Sequence, residues 1–341
     1  MAALTMARAP VRNADLGGWR DTRLFPSGKV LNIAIRMYTH VSLMATDREG
    51  VHIESHDIGE SEYIQNLRDL EYKGALGLLK AAVGKSGVNH GLKLIVHSEA
   101  PPASGLGSSA ALSVAALAAL YASQGKHFLP HHIARDAQRL ETEYLKLECG
   151  VQDQIAAAFG GINYIEVNYP DARVTAVPIS DDLLCELEAR MLVIYTGKSH
   201  FSSGTHKNVI ANFEAGKPET LRAFEGLDTT ADMGLAALLE EDLDRYAEAL
   251  NVNWEFQKAL HESITTPGID EMESRVRQEG CEGFKLNGAG AGGTAMLVCA
   301  PNSTRSVVRV IEDEFPEMQV YRPKVDIGRC QGLQVWSSHS S

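Results

Sequence analysis

The segment PPASGLGSSAA, residues 101–111, has the makings of an anion seat. Its small side chains let a ligand crowd the backbone, Gly105 and Gly107 can adopt positive φ, and the helix expected from Ser108 onward directs free N–H groups into the loop. A helix N-terminus carries roughly half a positive charge, so such a loop can hold phosphate without a lysine. The plainer alternative is a Gly/Ser turn in which Ser108 or Ser109 caps the helix. Two other phosphate signatures fail. Gly105-x-Gly107-x-x-Ala110 has dinucleotide-loop spacing, but PPAS separates it from the preceding strand, and residues 125–135 supply neither a strand nor an acid for a ribose. No Gly-Lys-Ser/Thr stands at P-loop spacing.

Three further segments carry chemically capable residues. CGVQDQIAAAFGG places Asp153 in the first turn of an expected helix, just after Gly150. ARAPVRNADLGGWRDT contains Arg12 and Asp21, and GFKLNGAGAGGTAM contains Gly288, Gly290, Gly292 and Gly293. Glu141 flanks the apolar seam of an expected helix over 131–147. Residue type alone leaves Asp153 as a helix N-terminal acid, Arg12 as half of a surface ion pair, Asp21 as a turn carboxylate, Glu141 as a solvated acid and the glycine run as a hairpin loop.

In this order the segments resemble the motifs of the GHMP kinases, the superfamily of galactokinase, homoserine, mevalonate and phosphomevalonate kinases. Residues 101–111 are similar to the nucleotide loop P-x-x-x-G-L-G-S-S-A, and residues 284–293 to the third motif K-L-x-G-A-G-G-G-G. GGW-x-DT resembles fucokinases, while G-x-Q-D-Q-x-x-A-x-x-G-G resembles heptose-7-phosphate kinases. The matches run from residue 9 to residue 300. The resemblance implies ATP contacts at Pro102, Ser104, Gly105, Leu106, Gly107, Ser108, Ser109, Gly288, Gly290 and Gly292. It implies acceptor contacts at Gly18, Trp19, Asp21 and Gly150, catalytic roles for Asp153 and Arg12, and magnesium ligation by Ser109 and Glu141.

The reaction so implied is ATP-dependent phosphorylation of a sugar or sugar-phosphate hydroxyl, the anomeric one in heptose-7-phosphate kinases and fucokinases. Galactose-like sugars or other polyols are alternative acceptors, and a catalytically silent ATP and sugar sensor is the rival from another class. Asp153 is expected to be ionised but weakly basic, orienting the hydroxyl and accepting its proton late. Two departures stand out. Asn13, Ala14 and Asp15 put a carboxylate where an apolar residue is expected, so acceptor choice or strand register should differ there. Ala291 replaces a glycine and is tolerated if its φ is negative.

The elements that must position these groups show in the periodicity. Alternation predicts strands over 31–45, 51–57, 92–98, 163–168, 173–179, 190–197 and 319–326. Helical spacing predicts helices over 62–83, 131–147, 231–263, 269–279 and 303–315, and an all-apolar helix over 108–123. Residues 180–189 read as a linker and the final SSHSS as a disordered tail. Mixed strands and helices without strict alternation indicate an α+β protein. The resemblance implies two domains, residues 1–185 similar to ribosomal protein S5 domain 2 and residues 186–341 ferredoxin-like.

The chain's 341 residues suffice for two cores, and its formal charge of -12 speaks against nucleic acid or an anionic membrane as main partner. The cysteines Cys149, Cys185, Cys281, Cys299 and Cys330 are odd in number and scattered, which fits a reducing compartment and no zinc site. No signal peptide or membrane span is evident, so a cytoplasmic location is expected. His52, His56, His131 and His132 have no metal-cluster spacing, while Lys198 and His200 could touch a phosphate. A homodimer is compatible with the sequence, which specifies no oligomeric state.

Overall fold

The computed structural model describes residues 4–197 and 202–338, so Lys198 and His200 lie outside the described residues. The first half is built on two long strands, β1 (Leu4–Leu16) and β2 (Gly28–Ala45). The alternation expected from Leu31 holds over Thr39–Met44, where Val41 and Leu43 are buried between partly exposed His40, Ser42 and Met44; over Val30–Ile35 both faces are covered, and Asn32 and Ala34 are as buried as Leu31, Ile33 and Ile35. Length lets β2 serve several partners. It pairs with β1, with β5 (Leu92–Ser98) over Thr39–Ala45, and with β6 (Ile162–Asn168) over Gly28–Ile33. Strands β3 (Val51–Ser55) and β4 (Glu60–Ile64) extend the sheet beyond β5, and β7 (Asp171–Ala176) extends it beyond β6.

One face of this sheet carries α1 (Gly77–Ser86), α2 (Ser108–Ser123), α3 (Pro130–Arg139) and α4 (Gln152–Phe159). As its all-apolar composition predicts, α2 is the buried member, with Ala110, Ala111 and Val114 through Leu120 inside. Alanine lets neighbours approach closely and loses no side-chain entropy on burial. Helix α5 (Asp181–Arg190) then leads into the second half.

Strands β8 (Met191–Tyr195), β9 (Cys281–Leu286), β10 (Thr294–Cys299) and β11 (Gln319–Tyr321) form an antiparallel sheet in the order β11-β8-β10-β9. Helices α6 (Ser202–Glu214), α7 (Pro218–Leu239), α8 (Leu243–Leu260) and α9 (Pro267–Gln278) connect its first two strands, and α10 (Thr304–Glu314) its last two. That is the ferredoxin-like arrangement. The final strand, β12 (Gln334–Ser338), returns to pair with β1 in the first sheet.

Several elements differ from the sequence reading. Residues 62–83 are not one helix: Glu60–Ile64 completes a hairpin with β3, and helix begins only at Gly77. Residues 180–189 are not a linker but most of α5, where the Ser180 hydroxyl accepts from Leu183 N at 3.1 Å and Leu183 and Leu187 are buried. The 131–147 helix stops at Arg139 and continues as a π-helical turn over Leu140–Tyr144. Of the expected tail, Ser337 and Ser338 belong to β12, and the strand expected over 319–326 ends at Tyr321. The β1–β2 pairing is irregular around Asn13, with register shifts at Pro10/Val11 and Asn13/Leu16.

Helix α7 joins the two halves by lying on the first sheet. At Gly234 a Cβ would stand 2.3 Å from Leu16 Cδ1 and 2.8 Å from Leu31 Cδ2, both fully buried. Helix propensity favours Gly234→Ala by about 1 kcal/mol, whereas overpacking a filled core opposes it by about 1–3 kcal/mol. Gly234→Ala should therefore lower stability by about 1 kcal/mol in urea titrations. A gain would mean that α7 does not rest on the sheet this closely.

Candidate active site

Arg12 lies on β1 between the two register shifts, and its backbone N donates to Leu106 O at 2.9 Å. Its side chain is buried at 3% exposure, so its donors must be met inside the protein. Nε donates to Asp153 Oδ1 at 2.7 Å, Nη1 donates to the Gly105 carbonyl, and Nη2 lies 3.6 Å from Asp15 Oδ2. Burial alone would depress the guanidinium's pKa, but Asp15 and Asp153 outweigh it and raise it, so Arg12 stays charged.

The loop before α2 explains its own glycines. Gly107 occupies the cap position of α2 with φ 72°, and no side chain caps the helix. The turn alternative with Ser108 or Ser109 as cap is thus not realised, and the first N–H groups of α2 stay free of side-chain acceptors. A Cβ on Gly107 would come within 3.1 Å of the Asp153 carboxyl carbon, and one on Gly105 within 2.8 Å of Asn287 O. Ser104 is fully buried, its Oγ has no partner among the described residues, and its carbonyl accepts from Thr294 Oγ1 at 2.9 Å. Leu106 is core, Ser109 is exposed and Pro102 is exposed at the outer edge of the loop.

The glycine run after β9 packs directly on this loop. Cβ atoms at Gly288 and Gly293 would approach Gly105 O to 3.2 Å and Ser104 O to 2.6 Å. Gly290 and Gly292 have φ of 86° and 140°. Ala291 also has positive φ, 64°, contrary to the condition for its tolerance; its N donates to Ile264 O at 2.6 Å, which holds the strained residue.

Asp153 sits in the first turn of α4 and is partly exposed at 30%. Asp21 Oδ2 accepts from Val151 N at 2.8 Å and Gln152 N at 3.0 Å, which fixes the start of that helix. A Cβ on Gly150 would strike the Asp21 carboxylate at 1.8 Å. The turn carrying Gly18 and Trp19 is anchored by Gly17 N donating to Asn253 Oδ1 at 2.9 Å. Trp19 is buried, edge-on to His206 at 4.7 Å, with its Nε1 unpartnered among the described residues.

Glu141 lies in the π-helical turn, a distortion common at functional sites. It is buried at 8%, not solvated, and accepts from Gln154 Nε2 at 3.2 Å, and the nearby Ser109 hydroxyl favours its charged form. Burial, with Asp153 nearby, pushes its carboxyl up to about 7. A buried carboxylate and an exposed hydroxyl are hard oxygen donors that fit one side of a magnesium ion, which takes its remaining ligands from phosphates and water. No group of three or more His, Cys, Asp or Glu suited to a metal occurs among the described residues.

Sequence reasoning missed the polar network beneath the site. Asn287 donates to Asn13 Oδ1 at 2.9 Å and to Thr294 Oγ1 at 3.0 Å, and accepts from Ala14 N at 3.1 Å. Lys285 Nζ donates to Asp15 Oδ1 at 2.6 Å. The available signal was a lysine and an asparagine amid the apolar residues of a buried strand end.

Residues 71–161 match the GHMP kinases N-terminal domain and residues 235–317 the GHMP kinases C-terminal domain. The chain belongs to the GHMP kinase family. It is 26% identical over 317 residues to a D-glycero-alpha-D-manno-heptose 7-phosphate kinase of Campylobacter jejuni, covering 90% of this chain and 93% of that one. It is 26% identical over 338 residues to a bifunctional fucokinase/GDP-fucose pyrophosphorylase of Arabidopsis thaliana, covering 93% of this chain but 32% of that protein. In fold it is similar to the crystal structure of a D-glycero-D-manno-heptose 1-phosphate kinase from Bacteroides thetaiotaomicron, with TM-score 0.80, 24% identity and coverage of 98% and 100%.

Burial pushes the Asp21 carboxyl up to about 6, against the N–H groups of Gln152 and Val151 that favour its charged form; Asp153 adds to the rise. Since this lies above the usual 3.8, the native state holds the proton longer, and its stability falls as pH rises from about 4 to about 6. Asp21→Asn removes that loss. Between pH 4 and pH 7 the variant should gain on wild type by about 2 kcal/mol in urea titrations. Equal slopes for the two proteins would remove Asp21 as the titrating group.

Proposed function

We propose that the protein is an ATP-dependent kinase that transfers the γ-phosphoryl group to a sugar or sugar-phosphate hydroxyl, with the anomeric hydroxyl of a heptose phosphate or fucose as the first acceptors to test. The observation that carries this reading is the 2.7 Å Arg12–Asp153 pair beside the uncapped start of α2 and two interlocked glycine loops. Phosphoryl transfer needs in-line alignment and charge neutralisation more than a strong base, and these are what such residues offer.

On this reading the nucleotide phosphates lie against the N–H groups of Ser108 and Ser109, flanked by the loops at 102–107 and 288–292. Arg12 neutralises charge on the transferred group, and its bond to Asp153 orients that carboxylate toward the acceptor hydroxyl. As the sugar oxygen bonds to the γ-phosphorus, the bond to the β,γ-bridging oxygen breaks and Asp153 accepts the hydroxyl proton late. Gly18, Trp19, Asp21 and Gly150 form the acceptor side, where Asp21 also steadies the helix carrying Asp153. Ser109 and Glu141 would hold magnesium, which supplies charge neutralisation at the phosphates. The two halves serve as the two walls, although the expected boundary at residue 185 falls inside α5 and β12 returns to the first sheet, and five free cysteines agree with a reducing cytoplasmic setting. Among the described residues no helix is long and apolar enough to cross a membrane.

ADP release across a panel of fucose, heptose 7-phosphate, galactose and other polyols, with the product position read by phosphorus NMR, tests the proposal. At least one sugar should be turned over, and Asp153→Asn should reduce kcat by about 10²–10⁴-fold. Turnover of no sugar, or an undiminished rate in Asp153→Asn, would overturn it.

A further inference from the structure

Asp15 is the carboxylate that stands where an apolar residue is expected, and at 3% exposure it needs internal partners. It has three. Lys285 Nζ lies 2.6 Å from Oδ1, Gly288 N donates to Oδ2 at 3.3 Å, and Arg12 Nη2 lies 3.6 Å from Oδ2. The same Oδ2 stands 2.9 Å from where a Cβ on Gly18 would be. One carboxylate thus touches the strand bearing Arg12, the Gly17–Gly18 turn and the glycine run after β9.

Lys285 has no route to a ligand: it is 1% exposed, and among the described residues its one other acceptor is the carbonyl of Leu286 at 2.8 Å. Its charge serves to offset that of Asp15, because an unpaired carboxylate at this depth would be strongly unfavourable. The consequence falls on Arg12. Asp153 takes Nε, the Gly105 carbonyl takes Nη1 and Asp15 faces Nη2, so all three nitrogens of the planar group are engaged. Two hydrogen bonds hold Nε and Nη1, and the Asp15 carboxylate adds an ionic contact at Nη2 that opposes tilting of the group.

We propose that Asp15, braced by Lys285, is a positioning residue that locks the Arg12 guanidinium in the orientation needed for phosphoryl transfer while touching neither substrate. The proposal rests on the kinase reading of the Arg12–Asp153 pair. Its chemical content is alignment, where a displacement of about 1 Å can lower a rate about 10²-fold.

The test compares wild type, Asp15→Asn and the neutral pair Asp15→Asn with Lys285→Met. The single variant strands the Lys285 charge and should lose both Tm and kcat. The neutral pair removes the stranded charge, so Tm should recover to near the wild-type value while kcat stays about 10- to 100-fold down, with both KM values within about threefold. In protein labelled with nitrogen-15 arginine, the Arg12 Nε–H, protected in wild type, should exchange at least about tenfold faster in the neutral pair. Recovery of kcat together with Tm would make Asp15 merely structural and overturn the proposal, as would unchanged Nε–H protection. If wild type phosphorylates no acceptor, the kinase reading falls, and the exchange rate still decides whether Asp15 holds Arg12.

Discussion

A guanidinium cannot give up its charge, so burying one obliges the chain to bring acceptors to it. Arg12 is the point where that obligation falls. Its partners come from two distant stretches and from its own strand: Asp153 at the start of α4, the Gly105 carbonyl in the loop before α2, and Asp15 three residues on along the irregular end of β1. Each contact has a backbone consequence. Gly107 must lack a side chain because Asp153 fills that space, and Gly105 and Gly288 must lack one because two loops meet there backbone to backbone. Asp21 holds the first turn of α4 in place, and Gly150 leaves room for it. The register shifts in β1 set Arg12 and Asp15 toward one another.

The charge balance of the site follows from the same arrangement. Asp15, Asp21 and Asp153 lie near one guanidinium, while Glu141, with Asp153 nearby, has its carboxyl raised by burial and by that acid to about 7. The Cys149 thiol is also pushed up, by burial first and then by Glu141, Asp153 and Asp21, which leaves it a poor nucleophile. Much of the formal charge of -12 is carried on the outer surface, while the anion-binding features are backbone N–H groups and Arg12. An acidic protein can thus present a seat for phosphate.

Much of this was legible in the sequence. The alternation in the later half of β2, the apolar circumference of α2 and the α+β order of elements carry over directly, because burial on one face or all faces writes a period into the chain, whereas the first half of β2 is covered on both faces. The motif residues converge as their order implies, apart from exposed Pro102 and core Leu106, whose carbonyl rather than side chain meets Arg12. What was illegible is tertiary. The π-helical turn that turns Glu141 inward has no local signature, since an amphipathic helix of the same residues would leave that acid in solvent. Helix α5 hid because its polar face gives it the composition of a linker. Lys285 and Asp15 carry no motif linking them; only the fold brings residues 270 positions apart to 2.6 Å.

The central claim is that Arg12 and Asp153 work as one unit. It is tested most directly by a double-mutant cycle on kcat/KM with Arg12→Met, Asp153→Asn and the combination. If each residue acts through the other, the combined variant is no slower than the worse single variant, to within about threefold. If the losses instead multiply, the two side chains act independently, and the pair at 2.7 Å is not the reacting centre.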